Sequence, residues 1–416
     1  MEKNYDLAII GGGPAGLASS IKAWKLGVKS IVLLEESNLL GGVLPQCIHP
    51  GFGLHYFRED LTGPEFAAKL LDRLKDTGVN VLVGSYAEHL EVKSSGEKEI
   101  FGYKYGEAFK IKCKAVIYAA GCRERSRFEV NILGDRPVGV YTAGEAQTLM
   151  DMYGILPGSE IVVVGSGDVG LIMARRFALE GADVKAVVEI MPYPGGLTRN
   201  IVQCLEDFHI PLYLSCMVTE INGSRRVEGV KIVRVDEKFN PIHGSENSLK
   251  CDTVILAVGL KPRVELRDKA GALIDEATGG PIVNDWLETT IPGVFAAGNV
   301  LVINDLVDYA AEQGERAAES AAKFMHDGLA AFKFKRVILG RNVRLVVPHL
   351  ISCVQDVTFY GRVGKPEENV QVRFDEIGQA FKLPIARPSE MFRFKISADD
   401  LLKLHDEKMV VNVVKV

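Results

Sequence analysis

The chain has 416 residues, of which 47% are hydrophobic and 25% are charged, and it carries 42 glycines. This length and composition predict a globular protein of two or three domains with many tight turns. A net charge of −5, from 49 basic and 54 acidic residues, gives no field that would attract nucleic acid or an anionic membrane. The sequence shows neither a leader nor a long uncharged apolar stretch, so a cytoplasmic protein without a membrane span is expected.

The chain opens with a strand–helix–strand unit. A short apolar strand at 6–10 runs into a glycine-rich turn at 11–16, a helix follows at 17–26, and a second strand at 30–34 ends on the acid Glu35. Such a turn lets a pyrophosphate approach the backbone and directs the helix N-terminus at that anion, while the acid binds the adenosine ribose. The unit therefore predicts a dinucleotide site, and a turn that merely connects two elements is the alternative.

A helix, a strand and a small antiparallel meander are predicted next, because polar and glycine-containing turns separate the apolar runs. These elements lie near 63–77, 79–83, 90–93, 100–105 and 109–113, and the strand at 116–120 that follows them ends in Gly121.

The opening unit recurs about 150 residues further along the chain. A strand at 160–164 enters the turn at 165–170, and the strand at 184–188 ends on Glu189. The first glycine and the acid are 24 residues apart in both copies (11 to 35 and 165 to 189). Two matching units indicate dinucleotide binding far more strongly than one turn, and a second copy that has lost its ligand is the alternative.

Glu189 also bears on which nicotinamide dinucleotide binds. A carboxylate accepts hydrogen bonds from ribose hydroxyls and repels a 2′-phosphate, and no Lys or Arg follows it before Arg199. NAD(H) is therefore expected rather than NADP(H). The residues predicted to bind it lie in the turn, on the acid and after the closing strand at 254–258. They are Gly165, Gly167, Asp168, Val169, Gly170, Glu189 and Gly259.

The last part of the chain shows two different sequence patterns. A strand-to-glycine turn at 292–299 and an Ala-rich helix at 306–326 are expected to return to the first domain. The remaining residues have short strand-like runs and several prolines, and they predict a small C-terminal module. The sequence thus predicts an α/β fold of two Rossmann-like dinucleotide-binding domains, the second inserted in the first. The predicted parts are 1–150, 151–265, 266–330 and 331–416.

The order of these motifs resembles the two-dinucleotide-binding flavoproteins of the pyridine nucleotide–disulfide oxidoreductase superfamily over about residues 1–330. The segments 41–53, 61–65 and 298–300 resemble a narrower group, the FAD/NAD-binding subunits of opine oxidase, hydrogen cyanide synthase and dye-linked proline dehydrogenase and the oxidoreductases associated with glycerol-3-phosphate dehydrogenase. The resemblance implies FAD in the first domain and the NAD domain inserted in it. The implied FAD residues are Gly11, Gly13, Pro14, Ala15, Gly16, Glu35, Gly42, Ala87, Gly121, Gly298, Asn299 and Asp308.

Two departures from the superfamily pattern affect the expected chemistry. The seven cysteines form neither the CxxxxC pair that follows the first Gly-Gly nor a CxxC pair, so no redox-active disulfide is expected. The same spacing predicts no metal site. Asn299 stands where the superfamily usually has an Asp that bonds the ribitol chain, which removes a charge near the flavin.

Cys47 and His49 are the candidate catalytic residues. Cys47 would act as a thiolate or sulfenic acid beside the flavin, and His49, like His55, would act as a general base. A buried structural cysteine and histidines that line the flavin entrance remain open as alternatives.

The sequence as a whole predicts an FAD-dependent oxidoreductase that exchanges hydride with NAD(H). With no internal dithiol, electrons would pass to or from a partner subunit in a dehydrogenase complex of the glycerol-3-phosphate or amino-acid type. The C-terminal module is the expected docking surface. An FAD enzyme that oxidises a small substrate directly, or a nucleotide-binding structural subunit without catalysis, remains possible.

Overall fold

A computed structural model describes residues 2–266, 271–328 and 332–416. The chain divides into two compact units. The first comprises Met1–Cys122 and Pro262–Val416, and the second is Arg123–Lys261. Within the described ranges, no helix combines the length and apolar character needed to cross a membrane.

The first unit is built on a parallel sheet whose strands are continuous buried apolar runs, as expected for strands covered on both faces. The predicted antiparallel meander follows it. The strands up to residue 118 are β1 (Glu2–Asn4), β2 (Leu7–Ile10), β3 (Ile31–Leu34), β4 (Pro50–Phe52), β5 (Leu61–Thr62), β6 (Asn80–Leu82), β7 (Ser85–Val92), β8 (Lys98–Lys104), β9 (Glu107–Cys113) and β10 (Ala115–Tyr118), and the helices are α1 (Pro14–Lys25) and α2 (Gly63–Lys75).

The second unit has a parallel sheet of order β13-β20-β14-β15-β16 and a second sheet of order β12-β17-β18-β19. Its helices α3 and α5 continue with π-helical turns at Thr148–Met152 and Val202–Glu206. The elements are β11 (Cys122–Glu124), β12 (Leu133–Gly134), β13 (Val140–Thr142), α3 (Ala143–Gln147), β14 (Glu160–Val164), α4 (Asp168–Leu179), β15 (Asp183–Val188), α5 (Thr198–Ile201), β16 (Leu212–Tyr213), β17 (Cys216–Asn222), β18 (Gly229–Arg234), β19 (Asn247–Lys250), β20 (Thr253–Leu256) and β21 (Leu260–Pro262).

This unit begins earlier than the predicted domain start at residue 151. The reason is strand pairing that the sequence pattern does not display. β13 pairs in parallel with β20, with Val140 opposite Val254, and β12 pairs with β17, with Leu133 opposite Glu220. Residues 133–142 therefore belong to the second unit.

The returning segment completes the central sheet of the first unit, which has the order β22-β10-β2-β3-β6. Its long helix packs closely on α1 because Gly314 has no side chain: a Cβ there would lie 2.2 Å from the Ala15 carbonyl oxygen. The Ser19 hydroxyl donates to the Gly314 carbonyl at 2.9 Å. The elements of this segment are β22 (Val294–Ala296) and α6 (Val307–Asp327).

The C-terminal residues form two sheets, of order β25-β23-β30-β27-β28 and β24-β26-β29, around a hydrophobic core of their own. They are not detached from the first unit, because Leu345, Val347, Tyr360 and Met391 join the core of the central sheet. The elements are β23 (Lys335–Leu339), β24 (Val343–Val347), β25 (Leu350–Ile351), β26 (Val357–Val363), β27 (Glu367–Phe374), β28 (Gln379–Ala386), β29 (Phe392–Ile396), α7 (Ala398–Leu401) and β30 (Lys408–Lys415). The predicted α/β class with two Rossmann-type domains is confirmed.

Candidate dinucleotide-binding sites

Four of the predicted FAD residues come together at one edge of the central sheet. Gly11, Glu35, Gly121 and Gly298 directly follow or lie just beyond the ends of β2, β3, β10 and β22, which are neighbouring parallel strands. The carboxyl ends of parallel strands lie at the same edge, where open α/β sheets bind their ligands.

Two glycines of the first turn are required by the protein itself. A Cβ on Gly11 would lie 2.3 Å from the Ala119 carbonyl oxygen, and one on Gly16 would lie 1.8 Å from the Gly11 oxygen. These positions let the turn pack against β10 and let α1 pack against the turn. Their glycines would be needed with or without a ligand.

Gly13 has no such internal explanation. Its φ of −78° is open to any residue, and a Cβ would meet no atom closer than the Gly42 Cα, at 3.7 Å. Gly13 is also the N-cap of α1, where Pro14 occupies the first turn and no side chain caps the helix. An open space beside uncapped N–H groups fits a pyrophosphate.

Glu35 is held by the two segments that flank this space. Its carboxylate accepts hydrogen bonds from the backbone N–H of Gly12 at 2.7 Å and of Ser37 at 2.8 Å. The side chain is buried, and the two donors orient it toward the end of the turn. This arrangement suits an acid that binds ribose hydroxyls.

Three amide side chains fix the turn after β22. The Asn299 Oδ1 accepts from the Asn304 backbone N–H at 3.0 Å, and the Gln313 Oε1 accepts from the Gly298 N–H at 3.0 Å. Asn304 and Gln313 also exchange hydrogen bonds at 3.2 and 3.1 Å. The Asn299 Nδ2 lies 3.5 Å from the Cys122 sulfur. Asn299 is thus part of a neutral network where the superfamily usually has a charge.

Ala87 and Asp308 take different positions from the other predicted FAD residues. Ala87 lies buried on β7, whose first residue, Ser85, donates its N–H to the Glu35 carbonyl at 2.8 Å. The Asp308 carboxylate is 1% exposed and accepts three backbone N–H groups of the loop at 53–56. Because the loop occupies the carboxylate, the part of Asp308 that is suited to a ligand is its backbone, at the start of α6.

Cys47 and His49 share the loop that precedes β4. The Cys47 thiol donates to the Val43 carbonyl at 3.3 Å, and the Cys47 carbonyl accepts from the Gly63 N–H at 2.8 Å. The His49 Nδ1 lies 3.0 Å from the Pro50 oxygen. These contacts hold both residues in the loop, and their catalytic roles stay predictions.

The turn after β14 repeats the geometry of the first one. A Cβ on Gly165 would lie 2.2 Å from the Ala257 oxygen, and one on Gly170 would lie 2.4 Å from the Gly165 oxygen. Gly167, by contrast, has a φ of −65°, and a Cβ there would meet nothing within 4 Å. Gly167 is also the N-cap of α4, which has no side-chain cap. The same space is thus left open beside the second helix.

Glu189 accepts the same two backbone hydrogen bonds as Glu35. Its Oε2 accepts from the Ser166 N–H at 2.8 Å, and its Oε1 accepts from the Met191 N–H at 2.9 Å. In each unit the donors are the second residue of the turn and the second residue after the acid. The backbone therefore holds the two acids in the same way.

The other predicted residues of the second site have distinct surroundings. Val169 is exposed in the first turn of α4, and Gly259 has a φ of 96° with open space beside it. The Asp168 carboxylate accepts from the Leu197 N–H at 2.8 Å and from the Asn200 Nδ2 at 2.6 Å. These bonds hold the Asp168 carboxylate against the end of the 195–197 loop and the start of α5.

Gly195 and Gly196 were missed from the sequence although a signal was present. Gly41 lies six residues after Glu35, and Gly195 lies six residues after Glu189. Gly41 donates its N–H to the Gly12 carbonyl at 2.9 Å, and a Cβ on Gly195 would lie 3.5 Å from the Gly167 nitrogen. The Gly-Gly pair therefore lies against the turn in both units, and extending the repeat beyond the acid would have found it.

Across residues 2–266, 271–328 and 332–416, no three His, Cys, Asp or Glu side chains cluster as metal ligands would. All seven cysteines are present as thiols.

A family model for pyridine nucleotide-disulphide oxidoreductases matches residues 5–314, about three quarters of the chain. The chain belongs to this family. Family members of known activity include FAD-dependent pyridine nucleotide oxidoreductases, and the open spaces at Gly13 and Gly167 fit the pyrophosphates of FAD and of a nicotinamide dinucleotide. The matched residues end before the C-terminal sheets begin.

Similar proteins differ in activity. Dihydrolipoyl dehydrogenase of Pseudomonas aeruginosa is 29% identical over 355 residues, covering 76% of this chain and 70% of that protein. The crystal structure of T. acidophilum thioredoxin reductase aligns with a TM-score of 0.64 at 24% identity, over 77% of this chain and 98% of the other. L-proline dehydrogenase from P. horikoshii aligns with a TM-score of 0.55 at 19% identity, over 76% of this chain and 55% of the other. The two structures share the fold.

Proposed function

We propose that this chain is an FAD-dependent oxidoreductase that exchanges a hydride with NAD(H) and passes electrons to or from a partner dehydrogenase subunit. The observation that carries the proposal is the pair of matching carboxylates, Glu35 and Glu189, each held by two backbone N–H groups beside an uncapped helix N-terminus. Bound FAD supplies the hydride chemistry, while the protein binds, orients and excludes water.

NAD(H) is the expected nicotinamide dinucleotide. A 2′-phosphate would meet the buried carboxylate of Glu189, and the nine residues after it, up to Thr198, include no Lys or Arg to neutralise the added charge. Glu189 is held in place, so it cannot easily turn away from the ribose. These features favour a dinucleotide that carries free ribose hydroxyls.

The partner subunit is proposed because the chain offers no dithiol close in sequence to receive electrons. Its seven cysteines include no CxxC or CxxxxC pair. Burial raises the pKa of the Cys113 and Cys251 thiols to about 12, which keeps both protonated and unreactive. The partner would be a dehydrogenase subunit of the glycerol-3-phosphate or amino-acid type, as in the narrower group that the motifs resemble. The C-terminal sheets, which lie outside the family match, are the proposed docking surface.

Direct oxidation of a small substrate is the second candidate. It is favoured by the loop at 53–56, where the exposed ring of His55 stacks on Tyr309 at the start of α6, with ring centroids 6.2 Å apart. A histidine in that position could accept a proton from a substrate at the flavin.

Anaerobic mixing of the FAD-loaded protein with NADH tests the proposal. We expect rapid bleaching of the flavin band near about 450 nm, and slower bleaching with NADPH. Bleaching only by a glycerol phosphate, an amino acid or another small substrate would support direct oxidation instead. Failure of every reductant to bleach a correctly folded protein would indicate a structural subunit.

A double variant, Glu189→Ser with Ile190→Arg, tests the ribose assignment separately. It removes the repulsive carboxylate and adds a cation next to it on an exposed position. NADPH should then reduce the flavin at least as fast as NADH. Unchanged selectivity for NADH would count against Glu189 as the ribose-binding acid.

A further inference from the structure

The hydroxyl of Ser166 joins the ribose acid of the second site to the loop that follows it. Ser166 is fully buried, and its Oγ donates to the Glu189 Oε2 at 2.6 Å. The same oxygen accepts from the Gly195 backbone N–H at 2.8 Å. One side chain thus fixes both the carboxylate and the Gly-Gly segment.

The first site has no equivalent of this hydroxyl. Gly12 occupies the corresponding position, and a Cβ there would lie 2.5 Å from the Leu40 Cδ2 and 3.0 Å from the Glu35 Oε2. A serine therefore does not fit in the first turn without a shift of Leu40. The hydroxyl therefore belongs to the second site alone, although the two predicted dinucleotide sites otherwise match.

The hydroxyl reduces the number of hydrogen-bond acceptor positions that the Glu189 carboxylate has left for a ligand. An ionised carboxylate has about four acceptor positions. Protein donors fill two of them on Glu35, from Gly12 and Ser37. On Glu189 they fill three, from the Ser166 N–H, the Ser166 hydroxyl and the Met191 N–H. Glu189 is therefore held in one orientation, and its remaining acceptor position is on Oε1.

A second contact holds the same loop in place. The Asp168 carboxylate accepts from the Leu197 N–H at 2.8 Å and from the Asn200 amide at 2.6 Å. A Cβ on Gly195 would lie 3.5 Å from the Gly167 nitrogen, so the loop lies against the turn itself. The loop cannot swing aside to make room for a phosphate while these bonds persist.

We propose that Ser166 is a specificity-determining residue, which makes the second site reject a 2′-phosphate by locking the Glu189 carboxylate beside the ribose. A mobile carboxylate could rotate away from an added phosphate, whereas a carboxylate held in one orientation must face it. This inference rests on the proposed NAD(H) site and names the residue that gives the site its selectivity.

The test uses the FAD-loaded full chain with Ser166→Gly, which reproduces the arrangement at Gly12, and with Ser166→Ala. Dissociation constants for NAD⁺ and NADP⁺ are measured by titration calorimetry. A hydrogen bond to a charged group accounts for roughly a tenfold change in affinity or more. We expect NADP⁺ to bind about tenfold more tightly to both variants, with NAD⁺ affinity changed less than about twofold.

Ser248→Ala is the matched control, since Ser248 is exposed on β19 in the other sheet of the same unit. Its ratio of dissociation constants should equal that of the unmodified chain. FAD content and melting temperature establish that each variant is folded.

The outcomes separate this inference from the function it rests on. If the unmodified chain prefers NAD⁺ and both Ser166 variants keep the same preference, the role of Ser166 is wrong and the proposed function stands. Equal weakening of both nucleotides would make Ser166 merely structural and would also overturn the inference. If the unmodified chain binds neither nucleotide, the proposed function fails and the inference fails with it.

Discussion

The carboxylate of Asp308 accepts a hydrogen bond from the backbone N–H of His55 at 2.9 Å, although 253 positions separate the two residues in the chain. The same carboxylate accepts the N–H groups of Gly53 at 3.1 Å and Tyr56 at 2.7 Å. The loop at 53–56 is thereby fixed to the first turn of α6, and His55 is brought over Tyr309. A single buried acid thus organises this side of the predicted FAD site.

Replacing Asp308 by Asn should therefore destabilise the FAD-loaded protein by about 2 to 4 kcal/mol, because hydrogen bonds to a charged group are the strong ones and an amide presents only one acceptor. Urea-induced unfolding measures the loss. Asp327→Asn, at the exposed end of the same helix, is the control and should change the free energy of unfolding by less than about 0.5 kcal/mol. Equal stability of the two variants would contradict the role of Asp308.

Gly167→Ala should weaken nucleotide binding without weakening the fold. A Cβ there meets no protein atom within 4 Å at an ordinary φ of −65°, so we expect the free energy of unfolding to stay within about 1 kcal/mol. NADH affinity should fall at least about tenfold, because the methyl group occupies the space for the pyrophosphate. Differential scanning calorimetry and NADH titration measure the two effects.

Gly170→Ala provides the contrast, since its Cβ would lie 2.4 Å from the Gly165 oxygen and 2.9 Å from the Ala257 Cβ. Overpacking of this kind costs about 1 to 3 kcal/mol, so this variant should lose stability as well. Full NADH affinity in Gly167→Ala would show that the open space does not receive the dinucleotide.

Asp285 should make the stability depend on pH. Burial raises the pKa of its carboxyl above the usual value, although Ser352 donates its N–H and hydroxyl to Oδ2. Between the two pKa values, the folded state keeps a proton that the unfolded chain has released. The contribution of Asp285 to the free energy of unfolding is therefore complete below about pH 4 and is lost as the pH rises through the raised pKa. A tenfold difference in proton affinity between the folded and unfolded states corresponds to about 1.4 kcal/mol.

Asp285→Asn keeps an acceptor for Ser352 and removes the charge, so its stability relative to the unmodified protein should increase between pH 4 and pH 7. Urea unfolding at several pH values measures the difference in free energy of unfolding between the two proteins. Any destabilisation by the amide group itself is the same at every pH and adds only a constant to this difference. Asp356→Asn should give the opposite sign at lower pH, because Lys395 lowers the pKa of Asp356: its stability relative to the unmodified protein should decrease as the pH rises from the lowered pKa to about pH 4. A difference for Asp285→Asn that does not vary with pH would refute the prediction.

The sequence predicted the parts of the fold that depend on local pattern. The buried strands β2, β3 and β14 were found within one residue at each end, because parallel strands covered on both faces are continuous apolar runs that end in glycine or an acid. Glu35 and Glu189 lie directly after β3 and β15, as predicted, for the same reason. The spacing from glycine to acid is set within one unit and survives in the sequence.

The parts that were not predicted depend on contacts between distant segments. Nothing near Asp308 in the sequence indicates that its carboxylate binds the loop at 53–56. β12 and β13 are only two and three residues long, so no periodicity identifies their sheet. The hydroxyl of Ser166 became informative only when its distance to Glu189 was known.

Arg362 should control how firmly the C-terminal sheets hold the segment between Asn299 and Asp308. Its side chain is 11% exposed and pairs with Asp305. Its guanidinium donates to the carbonyls of Ile303 at 3.0 Å and Ser389 at 2.7 Å. The planar group thus bridges β26, the loop before β29 and the loop before α6. A lysine could keep the charge but could not make all of these bonds at once.

Arg362→Ala should therefore cost about 3 to 5 kcal/mol, because it removes the cation that pairs with Asp305 in a partly buried site. Arg362→Lys should lower the free energy of unfolding by a smaller amount. Since the released loop adjoins the predicted flavin residues, both variants should also lose FAD faster, in the same order, when diluted and followed by flavin fluorescence. Arg344→Ala, on an exposed position of β24, should match the unmodified protein in both measurements. Loss of stability with unchanged FAD release would mean that the contacts of Arg362 support the C-terminal sheets but not the predicted cofactor site.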